Sequence, residues 1–291
     1  MKQPRQNEFP GQPALDKFAE WQAQVPLVAR PRVVRRLHAG SAHTTYELCA
    51  ETQQGACRLV LRCTTPGTHS LGTPFANEVA CMQLAAKAGF APAVLWCDTE
   101  NEIVVMDFAA EHALNQPQPL AALLRSIHKL AAEAPDICLL SQLDHYGSLA
   151  KQRGVSGKIV IDSLDERVRS AIDTLAQEGR VFCHNDLTPD NIRWYKGQLV
   201  AIDWEYAGMG SPYFDIAAMC AGHPHVNAED LVKQVLGARF SNSSWQLARH
   251  IYDALHWNWL WAAGFRSNST GSERGAKEER RHLLQSLEAA L

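Results

Sequence analysis

The sequence predicts an α+β protein of two lobes, the first rich in strands and the second mostly helical. Three strand-like runs, Arg32–Leu37, Thr44–Ala50 and Cys57–Cys63, follow one another early in the chain. From Leu120 onward, apolar residues recur mainly at helical spacing. The chain has 291 residues, of which 46% are hydrophobic and 20% charged, an ordinary globular composition long enough to supply two lobes with cores.

Taken in order, residues 1–13 are polar and proline-bearing and read as loose. Leu15, Phe18, Ala19 and Trp21 predict a helix over Ala14–Gln24, ended by Pro26 and Pro31. The strands Arg32–Leu37 and Thr44–Ala50 flank a turn at His38–His43, and the third strand runs into a Thr/Gly/Pro/Ser loop, Thr64–Pro74. Phe75, Val79, Met82 and Ala86 make one stripe of a helix over Phe75–Ala88, which Gly89 and Pro92 stop. Two further strands, Val94–Cys97 and Ile103–Met106, enclose the turn Asp98–Asn101. The lobes divide at Phe108, giving 1–108 and 109–291. Helices follow at Leu120–Ala132, with His128 a satisfied core histidine, and at Ser163–Gly179, where Leu164, Val168, Ile172 and Leu175 face inward. After the segment from 181 to 206 come helices over Tyr213–Cys220, Leu231–Leu236, Trp245–Phe265 and Glu278–Leu291.

Composition excludes several classes of function. A net charge of -3 offers no basic field, so nucleic acid is not expected as a partner. The eight cysteines form no Cys-x-x-Cys and read as reduced core thiols. No run reaches membrane-spanning length, and Met1–Asn7 has no apolar leader region, so no membrane insertion and a cytoplasmic location are expected. Nothing in the sequence sets the oligomeric state.

The chemistry concentrates in Val181–Asn191 and Leu199–Tyr206. An apolar approach, Val181-Phe182-Cys183, runs into a polar loop that spaces His184, Asp186 and Asn191 as His-x-Asp-x-x-x-x-Asn. A short apolar strand, Leu199–Ile202, delivers Asp203, and Tyr195–Gln198 is the turn between the two segments. Phosphoryl transfer from ATP asks little of a protein beyond positioning and charge neutralisation. One carboxylate must stand beside the acceptor hydroxyl, which fits Asp186. A carboxylate and an amide oxygen must hold magnesium, a hard cation that prefers oxygen ligands, which fits Asp203 and Asn191. His184 braces the loop beside Asp186. Alone, Asp-Leu-Thr-Pro reads equally as a helix cap or turn; Ile-Asp-Trp-Glu-Tyr at hairpin distance favours the catalytic reading.

These two segments resemble the catalytic loop and metal-binding Asp segment of the aminoglycoside phosphotransferase and choline kinase families. The resemblance implies a bilobal protein-kinase-like fold, ATP and Mg2+ as cofactors, and a small-molecule acceptor alcohol as partner. It places Gly40 and Ser41 at the phosphate-covering turn, and Arg62 where protein kinases keep a lysine. Arginine keeps the charge and can pair bidentately with phosphate or carboxylate. Glu78 stands at the helix glutamate that pairs with that cation. Asp107 and Ala109 fall in the hinge, whose backbone binds adenine. Asp215, in Pro-Tyr-Phe-Asp, corresponds to a support of the catalytic loop. An Ala-Pro-Glu segment and an activation loop are both missing, which argues against a protein kinase.

Late in the chain, Tyr252–Phe265 is rich in tryptophan. A helix there puts Trp257 and Trp261 on one face and Trp259 on another. Aromatic faces attract quaternary ammonium groups, so Trp257 and Trp261 are candidate acceptor residues against their reading as core, and Glu205 a candidate counter-charge. The stretch resembles the tryptophan-bearing late helix of choline kinases without reproducing its spacing. The expected activity is transfer of the ATP γ-phosphoryl group to a small, cationic, choline- or ethanolamine-like alcohol. Thiamine or an aminoglycoside is the alternative acceptor. A catalytically silent nucleotide-binding module is the alternative class, for which a broken set at Asp186, Asn191 and Asp203 is expected.

Overall fold

The structure, a computed structural model, describes residues 9–22, 25–39, 43–64, 74–111, 118–131, 133–267 and 273–291. The chain runs α1 (Gln12–Asp16), α2 (Phe18–Trp21), β1 (Arg32–Ala39), β2 (His43–Thr52), β3 (Gly55–Thr64), α3 (Phe75–Lys87), β4 (Val94–Asp98), β5 (Ile103–Asp107) and β6 (Ala110–Glu111). It continues through α4 (Gln118–His128), α5 (Leu139–Gln152), α6 (Glu166–Ala176), β7 (Val181–Cys183), β8 (Ile192–Tyr195), β9 (Gln198–Ala201) and β10 (Gly208–Gly210). It ends with α7 (Pro212–Gly222), α8 (Ala228–Leu236), α9 (Asn242–Ala263) and α10 (Glu273–Ala290). Two compact units result. The first holds the described residues up to 64, 74–111 and Arg193–Ile202; the second holds 118–192 and Asp203–Leu291.

In the first unit an antiparallel sheet has the order β1-β2-β3-β5-β4. β2 and β3 pair without a break from His43↔Thr64 to Thr52↔Gly55. Leu48, Ala50, Leu59, Leu61, Cys63, Ile103 and Val105 are buried with Ala14, Leu15 and Trp21, so α1 and α2 cover a sheet face. The single helix expected over Ala14–Gln24 is instead broken at Lys17, whose backbone (φ −87°, ψ 19°) leaves the helical region. Its ammonium lies 2.8 Å from the buried Asp98 carboxylate. Burial alone would raise the Asp98 pKa, but Lys17 and the Asn101 amide and backbone hold it down at about 2.

The first unit also contains the β8–β9 hairpin, which the sequence assigns to the second lobe. β8 pairs with β6 through Ala110↔Trp194 and Glu111↔Arg193. Gln198 Nε2 donates to the Gly89 carbonyl at 2.6 Å, and the Ala201 amide to the Phe90 carbonyl at 2.8 Å. A hairpin's backbone groups must all be paired, and here the hinge strand and the end of α3 supply the partners.

The second unit is built around α9, against which α5, α6, α7 and α10 pack. The α5 helix was not expected from the sequence. Its buried residues Leu139, Leu143, Tyr146 and Ala150 keep helical spacing, but polar residues and Gly147 dilute the pattern. Asn258 of α9 is fully buried and ties three segments together. Its Oδ1 accepts from the Ile161 amide at 3.0 Å, and its Nδ2 donates to the carbonyls of Leu143 at 3.0 Å and Ile161 at 2.6 Å. Leu164, expected to face inward, is 79% exposed because α6 starts only at Glu166, capped by Asp165.

β10 pairs with β7 on one side. On the other side the Met209 amide donates to the Pro135 carbonyl and the Ile137 amide to the Met209 carbonyl, each at 2.9 Å. A Cβ on Gly208 would stand 2.5 Å from the Pro135 oxygen, so only glycine permits this approach. All eight cysteines are free thiols; Cys138, expected in the core, is exposed at the start of α5. Among the described residues no helix is long and apolar enough to cross a membrane.

Asn258→Leu would orphan three buried backbone groups, at about 1–3 kcal/mol each. Urea unfolding should therefore register a loss of roughly 3–5 kcal/mol. A loss below about 1 kcal/mol would mean that α5, α9 and the 155–161 segment are not held through this amide.

Candidate active site

The loop leaving β7 and the turn after β9 each carry a residue of unusual backbone geometry. Asn185 has φ 63°, and Asp203, at the matching point after β9, has φ 64°. Left-handed backbone is costly for a residue with a Cβ, and it persists where surrounding bonds over-determine it. At Asn185 those bonds are visible: its amide donates to Asp215 Oδ1 at 2.6 Å, and its Nδ2 to the Tyr206 carbonyl at 3.0 Å. The loop then closes on itself. Pro189 starts a short 3-10 turn over Pro189–Asn191, and Asn191 Nδ2 donates to both the Asp186 carbonyl and Asp186 Oδ2, each at 2.8 Å.

Asp215 of α7 holds this loop from behind. It is fully buried, and its Oδ2 also accepts from the His184 amide at 3.2 Å and lies 2.9 Å from His128 Nε2. Burial alone would push its carboxyl up, but the His128 hydrogen bond and charge, with His184 and the Asn185 amide, hold it below the usual range. His184 is itself fully buried, its ring 4.5 Å from that of Trp204, and its Nδ1 accepts from the Asp186 amide at 3.2 Å. Expected to brace the loop beside Asp186, His184 has its ring against backbone and indole, away from solvent.

Asp186 stands in a strongly negative setting. Burial, then the carboxylates of Asp203 and Glu205, raise its pKa to about 8, against the opposing Asn191 hydrogen bond. Asn191 spends its Nδ2 on Asp186, which leaves the amide Oδ1 as its donor atom for a cation. A cation held by that oxygen and the Asp203 carboxylate would meet oxygen ligands alone, which suits magnesium and not a soft metal.

Beyond Asp186 the second unit presents a group of rings. Trp259 donates its indole N–H to the Tyr206 hydroxyl, and Tyr206 in turn bonds to Tyr146. Burial and the nearby Glu205 push the Tyr146 and Tyr206 hydroxyls far above their ordinary range, and Tyr252 is pushed up to about 12 by burial and then Asp186. All three tyrosines therefore remain neutral, and the acidic groups around them are Glu205 and Asp186.

Trp257 and Trp261 are not part of this group, which favours their reading as core over that as acceptor residues. Each is 4% exposed. The Trp257 N–H donates to the Ile159 carbonyl at 2.9 Å, Trp261 packs edge-on against its ring, and its face is already covered by the Arg266 guanidinium at 4.6 Å. The cation it attracts is the protein's own. The face that carries Trp259 is the one turned to Tyr206; Tyr146 and Tyr252 were missed because a lone tyrosine on a helix carries no sequence signal, whereas Tyr206 directly follows Glu205.

In the first unit, Arg62 of β3 and Glu78 of α3 form a buried ion pair, Nη2 to Oε1 at 2.5 Å. Asp107 donates its backbone amide to the Ala93 carbonyl at 2.9 Å, while its carboxylate accepts from Tyr195 at 2.5 Å. Ala109 lies half-buried between β5 and β6. Gly40 and Ser41 lie outside the described residues.

A family model described as a phosphotransferase enzyme family matches residues 33–251. The chain belongs to that family. Among curated relatives, the protein LicA of Haemophilus influenzae is 51% identical over 37 residues, 13% of this chain and 14% of its own length. The chain thus matches only a small part of that relative. Among solved structures, the choline kinase LicA from Streptococcus pneumoniae has a TM-score of 0.61 at 18% identity, with 95% of this chain and 99% of that one covered. LicA in complex with AMP has a TM-score of 0.65 at 19% identity, covering 95% and 98%. The bilobal kinase-like α+β fold of this phosphotransferase is therefore the one expected.

Asp215→Asn should cost roughly 2–4 kcal/mol, since a neutral amide replaces a charged acceptor of two loop amides. Its depressed pKa gives stability that is complete above the ordinary carboxylate range and is lost as pH falls through the folded-state value. The acid limb of the wild-type stability curve should accordingly flatten in the variant. Superimposable acid limbs would remove Asp215 from this role.

Proposed function

We propose that this phosphotransferase moves the γ-phosphoryl group of ATP to the hydroxyl of a small cationic alcohol, with choline the leading acceptor and ethanolamine next. The observation that carries the reading is the convergence of Asp186 and Glu205 with the neutral rings of Tyr146, Tyr206, Tyr252 and Trp259. Carboxylates among neutral aromatic faces attract an ammonium group, by about 0.5–2 kcal/mol per ring once water is excluded. That one similar fold is a choline kinase, and another holds AMP, supports the same reading.

In this mechanism Asp186 orients the acceptor hydroxyl and accepts its proton as the oxygen attacks the γ-phosphorus. The bond to the β,γ-bridging oxygen breaks, ADP leaves, and the proton passes from Asp186 to solvent. Magnesium, held by Asp203 and Asn191 Oδ1, would neutralise the phosphates and lower the raised pKa of Asp186 toward the base form. Arg62, fixed by Glu78, steadies the phosphates, and the backbone of Asp107 and Ala109 binds adenine. Asp215 and His184 hold Asp186 in place without touching substrate.

Asp186→Asn should lower kcat with choline by about 100-fold or more while ATP still binds. Retained turnover in a coupled ADP-release assay would remove Asp186 from the base role. Trp259→Ala should raise the choline KM by about 3- to 30-fold and leave the ATP KM nearly unmoved. Trp257→Ala should instead lower the melting temperature. Equal rises in both KM values for Trp259→Ala would sink the aromatic acceptor site.

A further inference from the structure

Tyr252, His256 and Trp259 stand at i, i+4 and i+7 on one face of α9. Their rings form a ladder. Tyr252 and His256 lie 5.6 Å apart with planes 11° from parallel, and His256 and Trp259 lie 5.5 Å apart at 17°. Both outer rings belong to the group around the catalytic carboxylate: Tyr252 feels the charge of Asp186, and Trp259 bonds to Tyr206. The middle rung is the one member able to change its charge near neutrality. His256 is also exposed, so its ring exchanges protons freely with solvent.

We propose that His256 is a specificity-determining residue for the acceptor: as neutral imidazole it completes the aromatic wall that receives a cationic alcohol, and as imidazolium it repels that alcohol. The inference rests on the cationic-acceptor reading and adds a limit to it. A protonated ring in the wall places like charge beside the ammonium group, so acceptor and proton compete. A neutral acceptor of the same shape suffers no such competition.

The surroundings favour the neutral ring. Partial desolvation of this otherwise accessible ring lowers the His256 pKa below the ordinary imidazole value, and Arg266, just beyond α9, lowers it further; Asp253, on α9 itself, pulls the other way. Glu205 and Asp186, on the catalytic segments, act on Tyr206 and Tyr252. The sign follows directly. Affinity for a cation is complete above the His256 pKa and falls as pH drops through it.

The test is the pH dependence of the acceptor KM between about pH 8 and about pH 5, read for choline and for its neutral carbon isostere 3,3-dimethylbutan-1-ol. In the wild type the choline KM should rise by about tenfold or more on acidification, while the isostere KM changes less than about twofold. His256→Phe and His256→Gln should both lose the rise, the second guarding against a packing effect of the first. A rise common to choline and the isostere, or one that persists in both variants, overturns the proposal. Should choline not be phosphorylated at any pH, the acceptor reading fails by itself. Tetramethylammonium binding, followed by tryptophan fluorescence, then decides about His256. Binding that weakens with acid in the wild type only upholds its role, and binding with no pH dependence overturns it.

Discussion

The constraint on which the site depends is the crowding of negative charge around Asp186. Asp203, Glu205 and Asp215 all act on it, and burial removes the water that would screen them. Like charges in such a setting cannot all stay ionised without positive partners. Asp215 has His128 as its partner within the fold. The acidic character that remains favours cations as ligands, in keeping with the divalent ion and the cationic acceptor proposed above. The same electrostatic deficit that raises the Asp186 pKa thus defines the charge of both expected ligands.

Helix α7 is the brace that makes this crowding tolerable. Near its start, Asp215 collects the amides of His184 and Asn185. At its end, Gly222 lies so close to the loop that an added Cβ would stand 3.2 Å from the Cα of Thr188. Between these contacts the loop has little freedom, and the left-handed backbone of Asn185 is held rather than relaxed. Behind Asp203 the fully buried Trp204 stacks on Phe182 at 5.6 Å and leans against His184. The residue after Asp203 is therefore anchored to the strand that leads into the loop of Asp186.

Much of this was legible in the sequence, and the reasons differ by region. The strands β2, β3 and β5 carry long apolar runs, so their places were clear to within a few residues. Asp186, Asn191 and Asp203 stood out as candidates because the chemistry proposed for them needs fixed residue types at fixed spacing. The α5 helix was not, since its apolar positions are interrupted by polar residues and a glycine. The split of α1 from α2 was hidden as well, because it depends on Lys17 reaching Asp98, far along the chain. The tryptophans of α9 show the limit of helical periodicity. It separates Trp259 from Trp257 and Trp261, but not which face meets solvent. That is decided by Ile159 and Arg266, which occupy Trp257 from outside the helix.

The central claim is that Asp203 and Asn191 hold a divalent ion beside Asp186. Manganese, which can replace magnesium among oxygen ligands, reports this directly through its electron paramagnetic resonance signal. Titration of the protein with Mn2+ and ATP should reveal protein-bound manganese in the wild type, lost in Asp203→Asn while nucleotide still binds. Manganese bound equally by wild type and variant, or bound only to free ATP, would contradict the account.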